Sequence, residues 1–226
     1  MVRKIVAMCL ILLVGACLFI CVSATKTRRD AKTILEVIRE LSVSKSPNDT
    51  FDSFRWKYRG KLKDSNVCSM HFCTYEADIS NKAIAKLHLL PYTEMKVWFV
   101  VSRGKLATTM VEYRVALEGA NSPVVHVQQD LCTHGCGVRF DVNPHGTTKQ
   151  SWNGLVEFNA SAAQRERDAA LAFNLDCFSR VRGCQDLTDL LPTVWQRAGS
   201  GQITSRLVGL SQRLEESHEF PTPDDF

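Results

Sequence analysis

Two short clusters of cysteine and histidine have the most evident capacity for chemistry: Cys68-x2-His71-x-Cys73 and Cys132-x-His134-x-Cys136. Thiolates and imidazoles are the usual ligands of tetrahedral zinc, so Cys68, His71, Cys73, Cys132, His134 and Cys136 form a candidate metal set. The same thiols can pair as disulfides, and Cys132-Thr133-His134-Gly135-Cys136 is also a candidate redox loop. Neither cluster has the Cys-x2-Cys spacing of zinc ribbons or of thiol-exchange turns. A third pair, Cys177 and Cys184, brackets Gly183, where a bridge would staple a helix end to the segment after it.

Which chemistry applies depends on the compartment, and the first residues address that. Arg3 and Lys4 precede a run from Ile5 to Ala24 that carries no charge. Such a run is long enough to span a bilayer as a helix, and it is also a long version of a signal-peptide core. Val22-Ser23-Ala24 offers small residues for cleavage after Ala24, an uncleaved anchor fits the length, and Val14-Gly15-Ala16-Cys17 resembles a lipobox. All three readings export the body of the chain. Cys9, Cys17 and Cys21 lie in this leader, and the six remaining cysteines read as a disulfide framework. Spacing cannot select its connectivity, so pairing between sequence neighbours is only the first expectation.

Other catalytic signatures are missing from the sequence: there is no nucleophile elbow, no H-E-x-x-H and no paired-carboxylate motif. His88, His126, His145 and His218 are scattered, and Asp130, Asp141 and Asp176 are the carboxylates a spatial triad would draw on. The formal charge is +4, and loss of residues 1–24 removes Arg3 and Lys4 and leaves +2, which gives no reason to expect nucleic acid as a partner. The basic stretches Lys26 to Lys32 and Arg55 to Lys63 suit anionic lipid heads or solvated faces, with Trp56 and Tyr58 expected in the core. Asn48-Asp49-Thr50 and Asn159-Ala160-Ser161 match the glycosylation sequon.

The elements that must position these residues follow from periodicity. Ile34, Val37, Ile38 and Leu41 predict a helix over 30–43, and Ser46-Pro47-Asn48-Asp49 begins another that presents Phe51, Phe54 and Tyr58 and stops at Gly60. Met95 to Val101 and Leu106 to Leu117, joined at Arg103-Gly104, predict a hairpin. Further strands are expected at Val124 to Val127, Arg139 to Val142 and Leu155 to Phe158. A helix is expected from a capping box at Ser161 to Gly183, along Leu171, Leu175 and Phe178, followed by an apolar segment from Leu187 to Trp195. The expectation is an α+β domain over 25–196, an antiparallel sheet of about five strands packed against N- and C-terminal helices and pinned by disulfides, preceded by the signal peptide or anchor of 1–24. Residues 197–226 form a mobile C-terminal tail in this reading.

The segment from Ser46 to Gly60, followed by strands, resembles the helix-pair-plus-sheet module of small bacterial outer-membrane assembly lipoproteins and β-lactamase-inhibitor-like proteins. Phe173-Asn174-Leu175-Asp176-Cys177, Gly183-Cys184 and Leu190-Leu191-Pro192-Thr193-Val194-Trp195 resemble segments of exported bacterial proteins. The resemblance implies binding to other envelope proteins or scaffolding, and it carries over no catalytic residue; the six body cysteines depart from it. The expected function is therefore that of a non-catalytic exported or envelope-associated binding or structural protein without a cofactor. It would touch the membrane through residues 5–24 if these are uncleaved. The rival is an extracytoplasmic thiol-redox or zinc-dependent enzyme using the Cys/His clusters.

Overall fold

The structure, a computed structural model, describes residues 2–44, 46–60, 62–64, 68, 72–117, 122–131, 139–142, 153–159 and 162–194. Its first element, α1 (Val2–Val43), is one helix of 42 residues, about 63 Å long at 1.5 Å per residue. It covers the expected helix over 30–43 and continues back through the whole apolar run. The sequence explains the continuity: no proline occurs in α1 and no glycine follows Gly15, so nothing interrupts the backbone ladder across Ala24. Where hydroxyls appear near Ala24 they bond within the helix, Thr25 Oγ1 donating to Cys21 O at 2.7 Å and Thr27 Oγ1 to Ser23 O at 3.0 Å. Pro47 then opens α2 (Pro47–Lys57).

Among the described residues seven strands form one sheet: β1 (Leu62–Asp64), β2 (Phe72–Ser80), β3 (Tyr92–Ser102), β4 (Lys105–Ala116), β5 (Val124–Asp130), β6 (Arg139–Val142) and β7 (Asn153–Asn159), six of them four residues or longer. Their order is β1-β2-β3-β4-β5-β7-β6. This corrects the expectation of about five antiparallel strands in two respects. β1 and β2 are additional, and the sheet is mixed, because β5 and β7 pair in parallel while β6 pairs antiparallel with β7 on the far side. The chain leaves a place beside β5, lays down β6 beyond it and returns with β7 to fill the gap. A long crossover permits that parallel pairing, whereas a tight turn would force an antiparallel one. The predicted hairpin is β3–β4, closed by Arg103 and Gly104 with φ of 51° and 73°, the geometry of a type I′ turn.

One sheet face forms the core. Tyr75, Ala77, Ile79, Met95, Val97, Phe99, Val111, Tyr113, Val115, Val125, Val127, Val156 and Phe158 alternate along their strands. They pack against Ala31, Ile34, Leu35, Ile38 and Leu41 of α1 and Phe51 and Phe54 of α2. Leu106 of β4 joins them, and the remainder of that core comes from the C-terminal segment, where a further expectation fails. The predicted helix from Ser161 to Gly183 is only α4 (Gln164–Ala170), followed by a 3-10 turn at Leu175–Phe178, and Ser161 lies outside the described residues. Asn174 explains the break: its side-chain oxygen accepts from Asp176 N–H at 3.2 Å and its amide donates to Asp189 O at 3.0 Å. These local bonds compete with a helical ladder. Leu171, Phe178, Leu190 and Leu191 are fully buried all the same, Leu190 closing the short α5 (Leu187–Leu190).

The domain has two distinguishable ends. At the distal end lie the Arg103–Gly104 turn, the start of β2 and the last residues of α1. At the proximal end, where α1 enters, are the end of β2, the short α3 (Lys82–Ala85) and the start of β3. Buried Asn81 ties this end together: its amide donates to Pro91 O at 2.9 Å and Phe178 O at 3.3 Å, and its carbonyl accepts from Thr93 N–H at 2.8 Å. Gly183 is required here. Its φ is +65°, and a Cβ would come 2.9 Å from Val115 Cγ1 and 3.2 Å from Pro91 Cγ.

Candidate functional site

The cysteine clusters resolve unequally. Cys68 and Cys73 are joined by a disulfide with Cα atoms 4.1 Å apart, and Cys177 and Cys184 by another at 5.3 Å. Sulfurs in a disulfide are not thiolate ligands, so the zinc set loses two members. His71, Cys132, His134 and Cys136 lie outside the described residues, as do His145, His218, Trp195 and the tail expected over 197–226. Among the described residues no group of three or more His, Cys, Asp or Glu side chains is placed to hold a metal.

Of the triad carboxylates, Asp130 and Asp176 stand at opposite ends of the domain. Asp130 sits at the distal end, accepting from Thr108 Oγ1 and Gln128 Nε2, each at 3.1 Å. Asp176 sits at the proximal end, paired with Arg28 at 2.5 Å. The backbone of Asp141 is in register with Leu155 and through it with that of His126, two strand spacings or about 10 Å away. His88 is exposed, with a φ of 54° in the turn after α3. Asn48 of the first sequon accepts from Leu106 N–H at 2.7 Å and so pins α2 to β4. Trp56 is 74% exposed and not in the core as expected. Helical geometry puts it opposite Phe54, and Arg59 stacks over its ring at 4.9 Å.

What the structure does assemble lies on the other face of the sheet. The buried apolar side chains of α1, α2 and α5 belong to the core beneath the sheet, as does Ala170 of α4, or, for Ala24, to a small proximal cluster. On the opposite face Asp78, Lys96, Glu112 and His126 stand in one cross-strand row over β2, β3, β4 and β5. In the neighbouring row is Glu94, whose side chain is only 4% exposed. Its carboxylate accepts from Tyr92 Oη at 2.8 Å and Arg114 Nε at 2.7 Å, is also bound by Arg114 Nη2, and has Lys96 Nζ at 3.8 Å. Arg114 extends the ladder to Glu112 at 3.8 Å, and His126 Nδ1 stands 3.9 Å from Glu112. Half-buried Trp98 and Met110 occupy the next row, facing each other across β3 and β4. No known family model, curated protein or solved structure matches this chain.

The electrostatics of the ladder are those of mutual satisfaction. Burial, together with the hydrogen bond to Glu94, pushes the Tyr92 phenol up to about 12, so it keeps its proton. Burial works against the Arg114 charge, but the hydrogen bond to Glu94 and that carboxylate's charge raise its pKa on balance. Burial and the neighbouring Glu94 raise Asp78. Burial lowers His126, against the opposing pull of Glu112. A carboxylate held by a guanidinium is a poor base and a phenol raised in this way is a poor nucleophile; burial favours the neutral form of His126, and at 3.9 Å the Glu112 carboxylate is beyond hydrogen-bond reach of its Nδ1. The ladder fixes charge positions on a stiff sheet.

A pH prediction follows from His126. Its folded pKa lies below the unfolded value of 6.5, so the unfolded chain binds more protons between the two values and stability rises with pH through that window. The contribution is complete above about pH 6.5 and is lost as pH falls through the folded pKa. Denaturant midpoints of the full chain in detergent at pH 7.5 and pH 5 should therefore differ less for His126→Gln than for the parent. An unchanged difference would show that His126 is not the group responsible.

Proposed function

We propose that this protein is a single-span membrane protein whose extracytoplasmic domain is a non-catalytic binding module, presenting the ladder-bearing sheet face to another protein of the envelope. The observation that carries the reading is the continuity of α1. Its apolar part is long enough to cross a membrane, with a mean hydropathy of 3.2 in its most apolar window. Its later part is the central helix of the core. The possible cleavage residue Ala24 lies inside this helix, 5% exposed, packed with Ile84 and Leu90. A leader removed after Ala24 would take with it the half-buried Ile20 that packs on the same cluster.

Two disulfides at opposite ends of the domain suit an oxidising compartment. Arg3 and Lys4 before the apolar run suit a cytoplasmic N-terminus, but Lys26, Arg28, Arg29 and Lys32 after it are as basic, so the disulfides and not the charge balance carry the orientation. On the sheet face, charges held in place by neighbours, beside Trp98 and Met110, give a partner fixed polar positions and an apolar patch.

The test is an intact mass of the protein from its native compartment, alkylated without reductant and sprayed under native and denaturing conditions. The expected result is a membrane-fraction chain that retains residues 1–24, with all six body cysteines unalkylated and no metal. A soluble chain beginning at Thr25 would overturn the anchor. Alkylated body cysteines, or zinc lost on denaturation, would replace the binding module with an enzyme built on the Cys/His clusters.

A further inference from the structure

Resting on the reading of α1 as an anchor, we infer a second, peripheral membrane contact: the proximal end of the domain, led by Leu87 and Leu89, is seated in the headgroup layer of the bilayer that α1 crosses. The argument is one of height. Between Lys4 and Lys26 the helix rises about 33 Å, against a hydrocarbon core of about 30 Å. Ile20 and Ala24 therefore belong to the last turn or so of the apolar span, at the level where acyl chains give way to headgroups. Yet these two residues pack on Ile84 and Leu90, which bracket the α3 turn. The turn shares their height, so no gap separates domain from bilayer.

The composition of this end matches such a seat. Apart from α1's apolar run, the described residues include five large exposed hydrophobics: Val43, Trp56, Leu87, Leu89 and Val181. Three of them gather at the proximal end. Leu87 is 56% and Leu89 39% exposed on the α3 turn. Val181 is 76% exposed in the loop between Phe178, bonded to Asn81, and Gly183, packed on Pro91.

Around these apolar tips stand cations at the height of lipid phosphates: Lys26 and Arg29 on α1, Lys82 on α3 and Lys86 just after it, and Arg182 beside Val181, all exposed. The nearby acids are partly engaged, Asp176 with Arg28 at 2.5 Å and Asp189 with Arg180 at 3.5 Å. Apolar tips inside a cationic ring are the pattern of a surface that enters the interface by about 5–10 Å. The domain is thereby held at a fixed height and tilt by two contacts, α1 and the α3 turn.

The experiment places tryptophan, one site at a time, at Leu87, at Phe19 in the apolar run and at Val43 at the distal end of α1. Each full-length variant is reconstituted in vesicles of phosphatidylcholine and phosphatidylglycerol with brominated acyl chains, and quenching is read as the difference from the parent protein. L87W is expected to be quenched roughly half as strongly as F19W or more, with a blue-shifted emission, and V43W not at all. Quenching of L87W no greater than that of V43W, with F19W quenched, would overturn the headgroup seat and leave the anchor standing. An unquenched F19W would overturn both.

Discussion

Replacing Ile38 by alanine is expected to lower the unfolding free energy of the domain by about 2–5 kcal/mol, with the denaturant slope unchanged. Ile38 is fully buried where α1 crosses the sheet, in the same core as Met95, Val97 and Tyr113. The cavity left by the truncation cannot be refilled by water, and the sheet on one side is stiff. Because one helix serves as both anchor and core, the variant should separate the two roles: fractionation with the membrane stays as in the parent, while protease sensitivity of the domain rises. Ile11→Ala, on the exposed apolar part of the same helix, should leave domain stability within about 0.5 kcal/mol. Equal denaturation midpoints for Ile38→Ala and the parent would mean that α1 does not organise the core.

The second large effect is expected from the proximal disulfide. Exchanging both Cys177 and Cys184 for alanine removes a bridge between residues seven apart in sequence, a loop whose closure contributes about 2–3 kcal/mol in the chain-entropy account. Both cysteines are buried, so small packing losses add to it. The bridge also keeps the 3-10 turn beneath Tyr113, whose ring meets Phe178 with centroids 5.4 Å apart and whose hydroxyl donates to Asn174 O at 3.1 Å. Thermal or denaturant unfolding of the full chain in detergent, with and without the pair, reads the loss. The Cys68–Cys73 pair should cost less, since Cys68 is exposed and Cys73 only half-buried. The reverse order would place the main constraint at the distal end.

Several elements were legible in the residues because local chemistry alone determines them. The stripe Ile34, Val37, Ile38 and Leu41 marks the core half of α1, and Arg103-Gly104 between alternating runs marks the β3–β4 hairpin. The union of the leader and that helix was not legible: a run that is apolar on every side has no period to connect with the stripe beyond it. β2 carried a readable signal in Tyr75, Ala77 and Ile79 alternating with Thr74, Glu76 and Asp78. The cysteines and histidine at its start carry a competing signal, that of metal ligands. Glu94 shows why the sheet-face ladder is not legible in the sequence. Its partners Arg114 and Lys96 are ordinary surface types in sequence, and only the register of β3 on β4 brings one of them across to bury the carboxylate.

The parallel pairing of β5 with β7 also orders events in time. Everything from α1 to β5 can assemble from neighbours in the sequence, each strand adding to the one just before it. β6 has no such option, for among the described residues its only strand partner is β7, which follows it. A chain emerging from its N-terminus must therefore hold β6 in waiting until β7 arrives and docks on both sides at once. Contacts between distant segments form slowly because the intervening chain must first be closed into a loop. Completion of the sheet is thus the late step in the maturation of this protein, and until then the edge of β5 is open to strands of other chains.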